Sequence, residues 1–369
     1  MKKILLYFAG NINDSKGTPN RVRTISEILV SAGYEIYFAG KVKPLFVDEA
    51  HFFSLPRPIS RLAFLYKIVK KEKIQAVFFQ TSAHITLLAL LSRLLSVPCG
   101  CDFHSLLFEE ELYYGKISKF EYSVRKFVDL VAAKQLDFAT GVCGSLREYY
   151  SKSIPKFEIL SAVADDVFFD ETVAAFEPVL AWKGDAILIG YAGNGKDYQG
   201  IDILIQAMKM VEKKKPESFK LLLVISSGFE EVKKAVEEVG LLEKTYLLPQ
   251  QPHDMMPKIL RASDVLVIPR RDAPITRFAF PSKIAEYAAM AKPIIVTNVG
   301  DLSLFIKDGV NGFVVEPDRA DQLTDKILCM DDNVLRSSMS RAIHETARKH
   351  FHSAAFRKIL DSLFQEIIK

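Results

Sequence analysis

Residues 186–208 read AILIGYAGNGKDYQGIDILIQAM. The run Ala186–Tyr191 is apolar and β-rich, Gly193, Asn194 and Gly195 form a turn, and Gly200 precedes an amphipathic helical pattern. Strand, glycine turn and helix in that order are the opening half of a βαβ unit. Downstream the same alternation continues through the apolar runs Lys220–Ile225, Thr245–Leu248, Val265–Ile268, Ile294–Thr297 and Phe313–Val315. Upstream lies a separate series, Lys3–Phe8, Glu35–Ala39, Ala76–Gln80, Val97–Phe103 and Phe138–Cys143. Short strands separated by helical stretches predict parallel sheets with crossover helices, so the expected fold class is α/β with two Rossmann-like domains.

The two series are divided by Ala162–Trp182, which is acidic, contains Pro178 and has no strand period. It reads as a connection between domains. The expected organisation is a first domain over 1–165, a linker over 166–182, a second domain over 183–350 and a last helix over 351–369 that crosses back to the first domain. Ligands of open parallel sheets bind beyond the carboxyl ends of the strands. The loops after the strands, facing one another across a cleft, are therefore where chemistry is sought.

Composition narrows the function. The chain has 369 residues, 49% hydrophobic and 25% charged, with a net charge of +4. That is an ordinary globular composition, and its charge is too modest for a nucleic-acid partner. The charge is uneven, however: residues 1–160 carry 22 basic against 15 acidic side chains. Arg61, Lys67, Lys70, Lys71 and Lys73 share one predicted helix with Leu62, Phe64, Leu65 and Ile68. Such a helix over 61–73 reads either as a solvated face or as a peripheral contact with anionic lipid.

Four cysteines in a chain of this length give no disulfide framework, and Cys99 and Cys101 lack a partner pair at zinc spacing. Cys143 and Cys329 are expected to be buried free thiols, and a reducing cytoplasm is the expected compartment. The opening MKKILLYFAG reads as a first core strand, not a leader, and His84–Val97 is too short to span a bilayer.

Three loops can carry chemistry. After the first strand, Gly17 stands just before a helix, where backbone N–H groups can approach a phosphate; a plain loop glycine with Thr18 or Asn20 as cap is the alternative. In the second series, Gly193–Gly195, Lys196 and Gly200 suit a diphosphate. Strand Val265–Ile268 runs into Arg270, Arg271, Asp272 and Arg277, and then into a helix where Glu286 stands among Ala285, Ala288, Ala289 and Met290. A carboxylate in such company needs a reason, and accepting hydrogen bonds from both ribose hydroxyls is one. His104 follows a first-domain strand, whereas Glu109, Glu110 and Glu111 read as a solvated face.

The stretch PSKIAEYAAMAKPIIVTNVGDLSLFIKDGVNGFVVEPDRADQLTDKI resembles, without gaps, the nucleotide-sugar-binding segment of the family 4 glycosyltransferases, PxKxxEYMAxGKPVVAT followed by a glycine-containing loop and GxNGxLVxPxD. YAGNGKDYQGID is similar to that family's YxGxxxxxKGxD loop, FHSLLFEEE to its histidine loop and GSLREYY to its serine-and-leucine helix. The resemblance implies the GT-B fold and a retaining, metal-independent sugar transfer needing no cofactor. By position it implies that Glu286 binds the ribose, with Ser282 and Lys283 lining the same pocket. It places Gly17 on the diphosphate, His104 on the donor sugar, and Asn194, Lys196 and Gln199 in the phosphate loop.

The sequence departs from that pattern at two places. Phe278 stands where the first acidic residue of the family's E-x7-E pair is expected, which leaves Asp272 as the candidate for the sugar contact. Gln199 replaces the lysine of the KG pair, so Lys196 or Arg271 is expected to face the β-phosphate. The expected catalytic set is therefore His104, Lys196 and Arg271, with Gly17, Asn194, Gln199, Arg270, Asp272, Ser282, Lys283 and Glu286 binding the donor. The implied substrates are a UDP- or GDP-sugar and a glycan or lipid-linked acceptor of the cell envelope. Two other readings stand beside this one: a non-catalytic partner subunit of the same fold, and a nucleotide-sugar 2-epimerase.

Overall fold

The computed structural model describes residues 1–13 and 17–368. It divides into two compact units: the first holds Met1–Val163, Phe278–Phe280 and Ser353–Lys369, the second Ala164–Arg277 and Pro281–His352.

In the first unit seven parallel strands, β1 (Lys3–Phe8), β2 (Glu35–Gly40), β3 (Phe52–Ser54), β4 (Ala76–Phe79), β5 (Cys99–Phe103), β6 (Phe138–Gly141) and β7 (Phe157–Ile159), lie in the order β3-β2-β1-β4-β5-β6-β7. The strands are apolar on both faces, as a sheet covered by helices on each side requires. Leu5, Tyr7, Val77 and Phe79 enter one core cluster; Ile4, Leu6, Ala76 and Phe78 enter the other. The second cluster is closed by the helix Gly17–Ser31 together with the helix Ser353–Ile367, which contributes Phe356, Leu360, Leu363 and Phe364.

In the second unit β8 (Ile187–Gly193), β9 (Phe219–Ile225), β10 (Thr245–Pro249), β11 (Val265–Ile268), β12 (Ile294–Thr297) and β13 (Gly312–Val315) form a parallel sheet in the order β10-β9-β8-β11-β12-β13. Each sheet thus has one point where the strand order reverses, at β1/β4 and at β8/β11. Crevices open there beyond the carboxyl ends.

Several sequence expectations change. The stretch 166–182 is not a bare linker: Asp166–Phe169 is helical and Glu177–Lys183 begins a second helix. Phe168 and Val179 are buried in the second unit, and Phe176 donates its N–H to the Lys258 carbonyl. Cys329 is exposed, at the end of the helix Ala320–Cys329, whereas Cys143 is buried. The helix Arg61–Glu72 spends its apolar side on the first core, where Leu65, Ile68 and Val69 are buried and Leu62 and Phe64 pack against them, leaving Lys67, Lys70 and Lys71 outward. Arg61 itself is turned inward and only 8% exposed. No helix among the described residues is long and apolar enough to cross a membrane.

Candidate functional site

The crevice of the second unit is made by an interruption in hydrogen bonding. The β8–β11 ladder pairs Ile189 and Gly190 only, so the carboxyl end of β8 is free of strand partners on that side. The Tyr287 hydroxyl takes their place: it accepts the Ala192 N–H at 2.7 Å and lies 3.3 Å from the Ala192 carbonyl. This pins the helix Lys283–Ala289 to the strand end. Lys283 and Glu286, three residues apart, share one helical face.

Lys283 Nζ donates to the side-chain oxygen of Gln199 at 3.3 Å and stands 4.0 Å from the centre of the Tyr191 ring. The Tyr191 hydroxyl, in turn, donates to the Asn194 carbonyl at 3.0 Å and lies 3.3 Å from the Gln199 side-chain oxygen. Glycine at 193 leaves room for this arrangement, because a Cβ there would come within 2.4 Å of Lys283 Nζ. Glycine at 200 has φ +68, and a Cβ would meet the Pro269 carbonyl oxygen at 1.9 Å; only glycine tolerates both demands.

Charges in this group are held away from their ordinary values. Burial, followed by the neighbouring Arg270 guanidinium, pulls the Lys283 ammonium down to about 7, and Glu286 opposes that pull. Burial pushes the Glu286 carboxyl up, with Asp165 adding to the effect and His253 and Lys283 opposing it. The Glu286 carboxylate accepts no hydrogen bond among the described residues. A desolvated carboxylate with open lone pairs next to a desolvated ammonium marks a ligand site.

The other expected donor residues divide clearly. Arg270 is buried, at 4% exposure, with its carbonyl held by Thr297 Oγ1 at 2.6 Å and its guanidinium 5.8 Å from the centre of the Tyr198 ring. Arg271 points the other way, as consecutive residues of an extended chain do. It is tied on the surface to Asp202 and Asp318 and donates to the Asp197 carbonyl. The expectation that Arg271 faces a phosphate is therefore corrected, and Arg270 is the inward arginine. Asp272 is exposed and is held by two nitrogens of the Arg277 fork, at 2.7 and 2.8 Å. Lys196 is exposed near the Tyr198 ring, its N–H bonded to Asn194 Oδ1, and Ser282 is exposed at the start of its helix without a side-chain cap bond.

In the first unit the expected histidine belongs to a buried network. Asp102 is fully buried and accepts Arg21 through both oxygens, at 2.7 and 2.9 Å, and also Thr140. His104 Nε2 lies 2.6 Å from Asp102 and Nδ1 3.2 Å from Thr18 Oγ1. Burial raises the Asp102 carboxyl, but Arg21 and His104 outweigh it and hold the group far below the carboxylate range. With both ring nitrogens engaged, the His104 ring is held in one orientation just after β5. Phe278 lies edge-on to Tyr149, with ring centres 6.0 Å apart, in the first unit's apolar cluster. Gly17 is the first residue of its helix, and Asp14–Lys16 before it lie outside the described residues.

Sequence reading missed Tyr287, Tyr191 and the His253–Asp165 pair, which is 2.9 Å apart. The EY dipeptide at 286–287 was a signal for the first; nothing local marks the pair.

Comparison with known proteins defines the class. Residues 174–350 match the model of the family described as glycosyl transferases group 1. The two parallel sheets have the GT-B fold: the Anabaena protein HepE, whose structure was determined in complex with UDP-glucose, superposes with a TM-score of 0.76 at 14% identity, over 99% of this chain and all of HepE. A D-inositol 3-phosphate glycosyltransferase of Saccharomonospora viridis is 24% identical over 199 residues, 52% of this chain and 44% of the relative. An Escherichia coli UDP-Gal:alpha-D-GlcNAc-diphosphoundecaprenol alpha-1,3-galactosyltransferase is 23% identical over 316 residues, 83% of this chain and 79% of the relative. Matches to the inositol-phosphate enzymes span about half of those relatives' length or less.

Proposed function

We propose that this chain is a retaining glycosyltransferase that moves a sugar from a nucleoside diphosphate sugar to an acceptor hydroxyl of a cell-envelope glycan or glycolipid, without a bound metal or cofactor. The observation that carries the reading is Glu286, a half-buried carboxylate with no side-chain hydrogen bond among the described residues, placed three residues from Lys283 beyond β8 at the strand-order reversal. Two ribose hydroxyls satisfy its open lone pairs. As the sugar–phosphate bond breaks, negative charge grows on the β-phosphate; Lys283 and Arg270, both desolvated, stabilise it. The departing phosphate itself takes the acceptor proton on the same face, so no enzyme base is required. UDP-sugars are the first donors to test, given the ligand of HepE and the donor of the E. coli relative.

The test is a thermal-shift panel of UDP, GDP, ADP and CMP on the native protein and on Glu286→Ala. At 100 times its Kd a ligand stabilises by about 2.7 kcal/mol. One base is expected to raise the midpoint in the native protein and not in the variant, and turnover is expected to survive EDTA. No shift with any nucleotide overturns the reading, and a shift without turnover or donor hydrolysis points to a non-catalytic subunit.

A second helix, besides the expected 61–73, has the character of a peripheral membrane contact. Along Lys119–Ala133 the residues Phe120, Val124, Phe127, Val128 and Val131 are exposed on one face, Phe120 at 80% and Phe127 at 69%. Exposed lysines at 116, 119 and 134 border the stripe, and apolar side chains bordered by cations fit an anionic lipid surface.

A further inference from the structure

The first unit has its own strand-order reversal, between β1 and β4, and four cationic or donor side chains gather there. Tyr7 lies near the end of β1, Lys41 directly follows β2, Arg61 opens the helix Arg61–Glu72, and His84 lies in the loop after β4. Arg61 Nη1 donates to the Tyr7 hydroxyl at 3.3 Å and to His84 Nε2 at 3.3 Å, and Nε donates to the Pro56 carbonyl at 3.3 Å. Those are neutral acceptors. Among the described residues no carboxylate pairs with Arg61, Lys41 or His84.

This arrangement is costly in three ways. An arginine is rarely buried without a counter-charge, a cation at the first residue of a helix opposes the helix dipole, and the Lys41 ammonium acting on the same group adds to the same sign. The hydrogen bonding is also one-sided. Arginine can only donate, so His84 Nε2 must accept and the ring proton sits on Nδ1. That Nδ1 is buried with no partner. Burial, Arg61 and Lys41 together keep the imidazole below its ordinary value, consistent with a neutral ring. The Tyr7 hydroxyl accepts from Arg61, which leaves its own proton to give. Arg61 Nη2, His84 Nδ1–H and Tyr7 O–H are therefore donors with no acceptor among the described residues, the last two buried, beside an exposed Lys41, and the cluster holds no anion of its own.

We infer that Arg61, Tyr7, His84 and Lys41 form a phosphate-binding site at the β1/β4 crevice of the first unit, which takes a phosphate group of the acceptor. The assignment to the acceptor rests on the transferase reading above; the binding of phosphate does not. A planar guanidinium and three further donors match the several oxygens of a phosphate.

The experiment uses the full chain with saturating UDP, so that phosphate is kept from any nucleotide site, and follows the His84 ring resonances by NMR as inorganic phosphate is added. A saturable shift at His84 is expected, weakened about tenfold in Arg61→Gln and about threefold in Lys41→Ala, whose exposed side chain makes misfolding no concern. Arg61→Lys, which keeps the charge, is expected to fall between wild type and Arg61→Gln. Glycerol 3-phosphate and vesicles of phosphatidic acid then compete in parallel arms, the first for a soluble acceptor and the second for a lipid-borne one; protection of His84 in either arm supports the site and names its source. No saturable shift at His84, or equal shifts in wild type and both charge-removing variants, overturns the inference and leaves Arg61 as a structural strut. Because the readout is binding at His84, a protein that binds phosphate there yet transfers no sugar refutes the transferase reading and not the site.

Discussion

The Tyr287 hydroxyl accepts the Ala192 N–H at 2.7 Å where the β8–β11 ladder has stopped, and so substitutes a side chain for a missing strand. The bond fixes the helix that carries Lys283 and Glu286 against the strand that carries the Gly193 turn. Tyr287→Phe removes the hydroxyl and leaves the Ala192 N–H buried without an acceptor. A loss of about 1–3 kcal/mol in unfolding free energy is expected, measured by urea denaturation. Nucleotide affinity is expected to fall in the same variant, because both ligand-facing side chains lose their register.

Lys283 provides a prediction in pH. Its native value near 7 lies below the ordinary 10.5, so between those limits the folded chain holds fewer protons than the unfolded one. The contribution of this group to stability therefore rises with pH across the window. A diphosphate beside the ammonium restores the proton. Calorimetry at pH 8 in two buffers of different ionisation enthalpy is expected to show proton uptake on UDP binding, absent in Lys283→Met. Equal uptake in the variant removes Lys283 from the phosphate site.

The parts of the molecule that could be read from sequence were those written in repeating pattern. Long buried strands such as Lys220–Ile225 announce themselves, whereas β3 (Phe52–Ser54) and β7 (Phe157–Ile159) are three-residue edge strands, too short to show a period. Glu286 was legible because a carboxylate among alanines is anomalous. Arg270 and Arg271 were not separable, since which one faces inward depends on the residue at which β11 ends. The pairing of Asp272 with Arg277 and the capture of His104 by Asp102 and Thr18 are tertiary facts. The Lys119–Ala133 stripe has the same periodicity as a core-facing helix, and only the fold shows that it is uncovered.

Asp129 gives a prediction about stability apart from the donor site. It is buried on the inward side of the helix Lys119–Ala133 and accepts the Tyr150 hydroxyl at 2.8 Å. Burial pushes its carboxyl up to about 6, with the Tyr150 bond opposing. From pH ~4 to ~6 the folded chain therefore binds more protons than the unfolded one, and stability falls as pH rises through that range. Asp129→Asn keeps an oxygen for Tyr150 and removes the charge. It is expected to raise unfolding free energy by about 1–3 kcal/mol at pH 7.5 and to change little at pH 4, as measured by denaturant titration at the two values.

Phe120 and Phe127 decide whether the exposed stripe is a membrane contact. Burying a phenylalanine side chain contributes about 1.5–3 kcal/mol, and a lysine near an anionic surface about 1 kcal/mol. Replacing both phenylalanines with serine is therefore expected to abolish flotation with phosphatidylglycerol vesicles at low salt. Lys67→Glu combined with Lys71→Glu, on the helix whose apolar side is already spent on the core, is expected to weaken flotation only slightly. Neither pair supports the fold, since all four side chains point outward, so thermal midpoints should stay close to wild type. Retention of the phenylalanine variant on vesicles, with loss in the Lys67/Lys71 variant, would return the contact to the helix 61–73 and make it purely electrostatic.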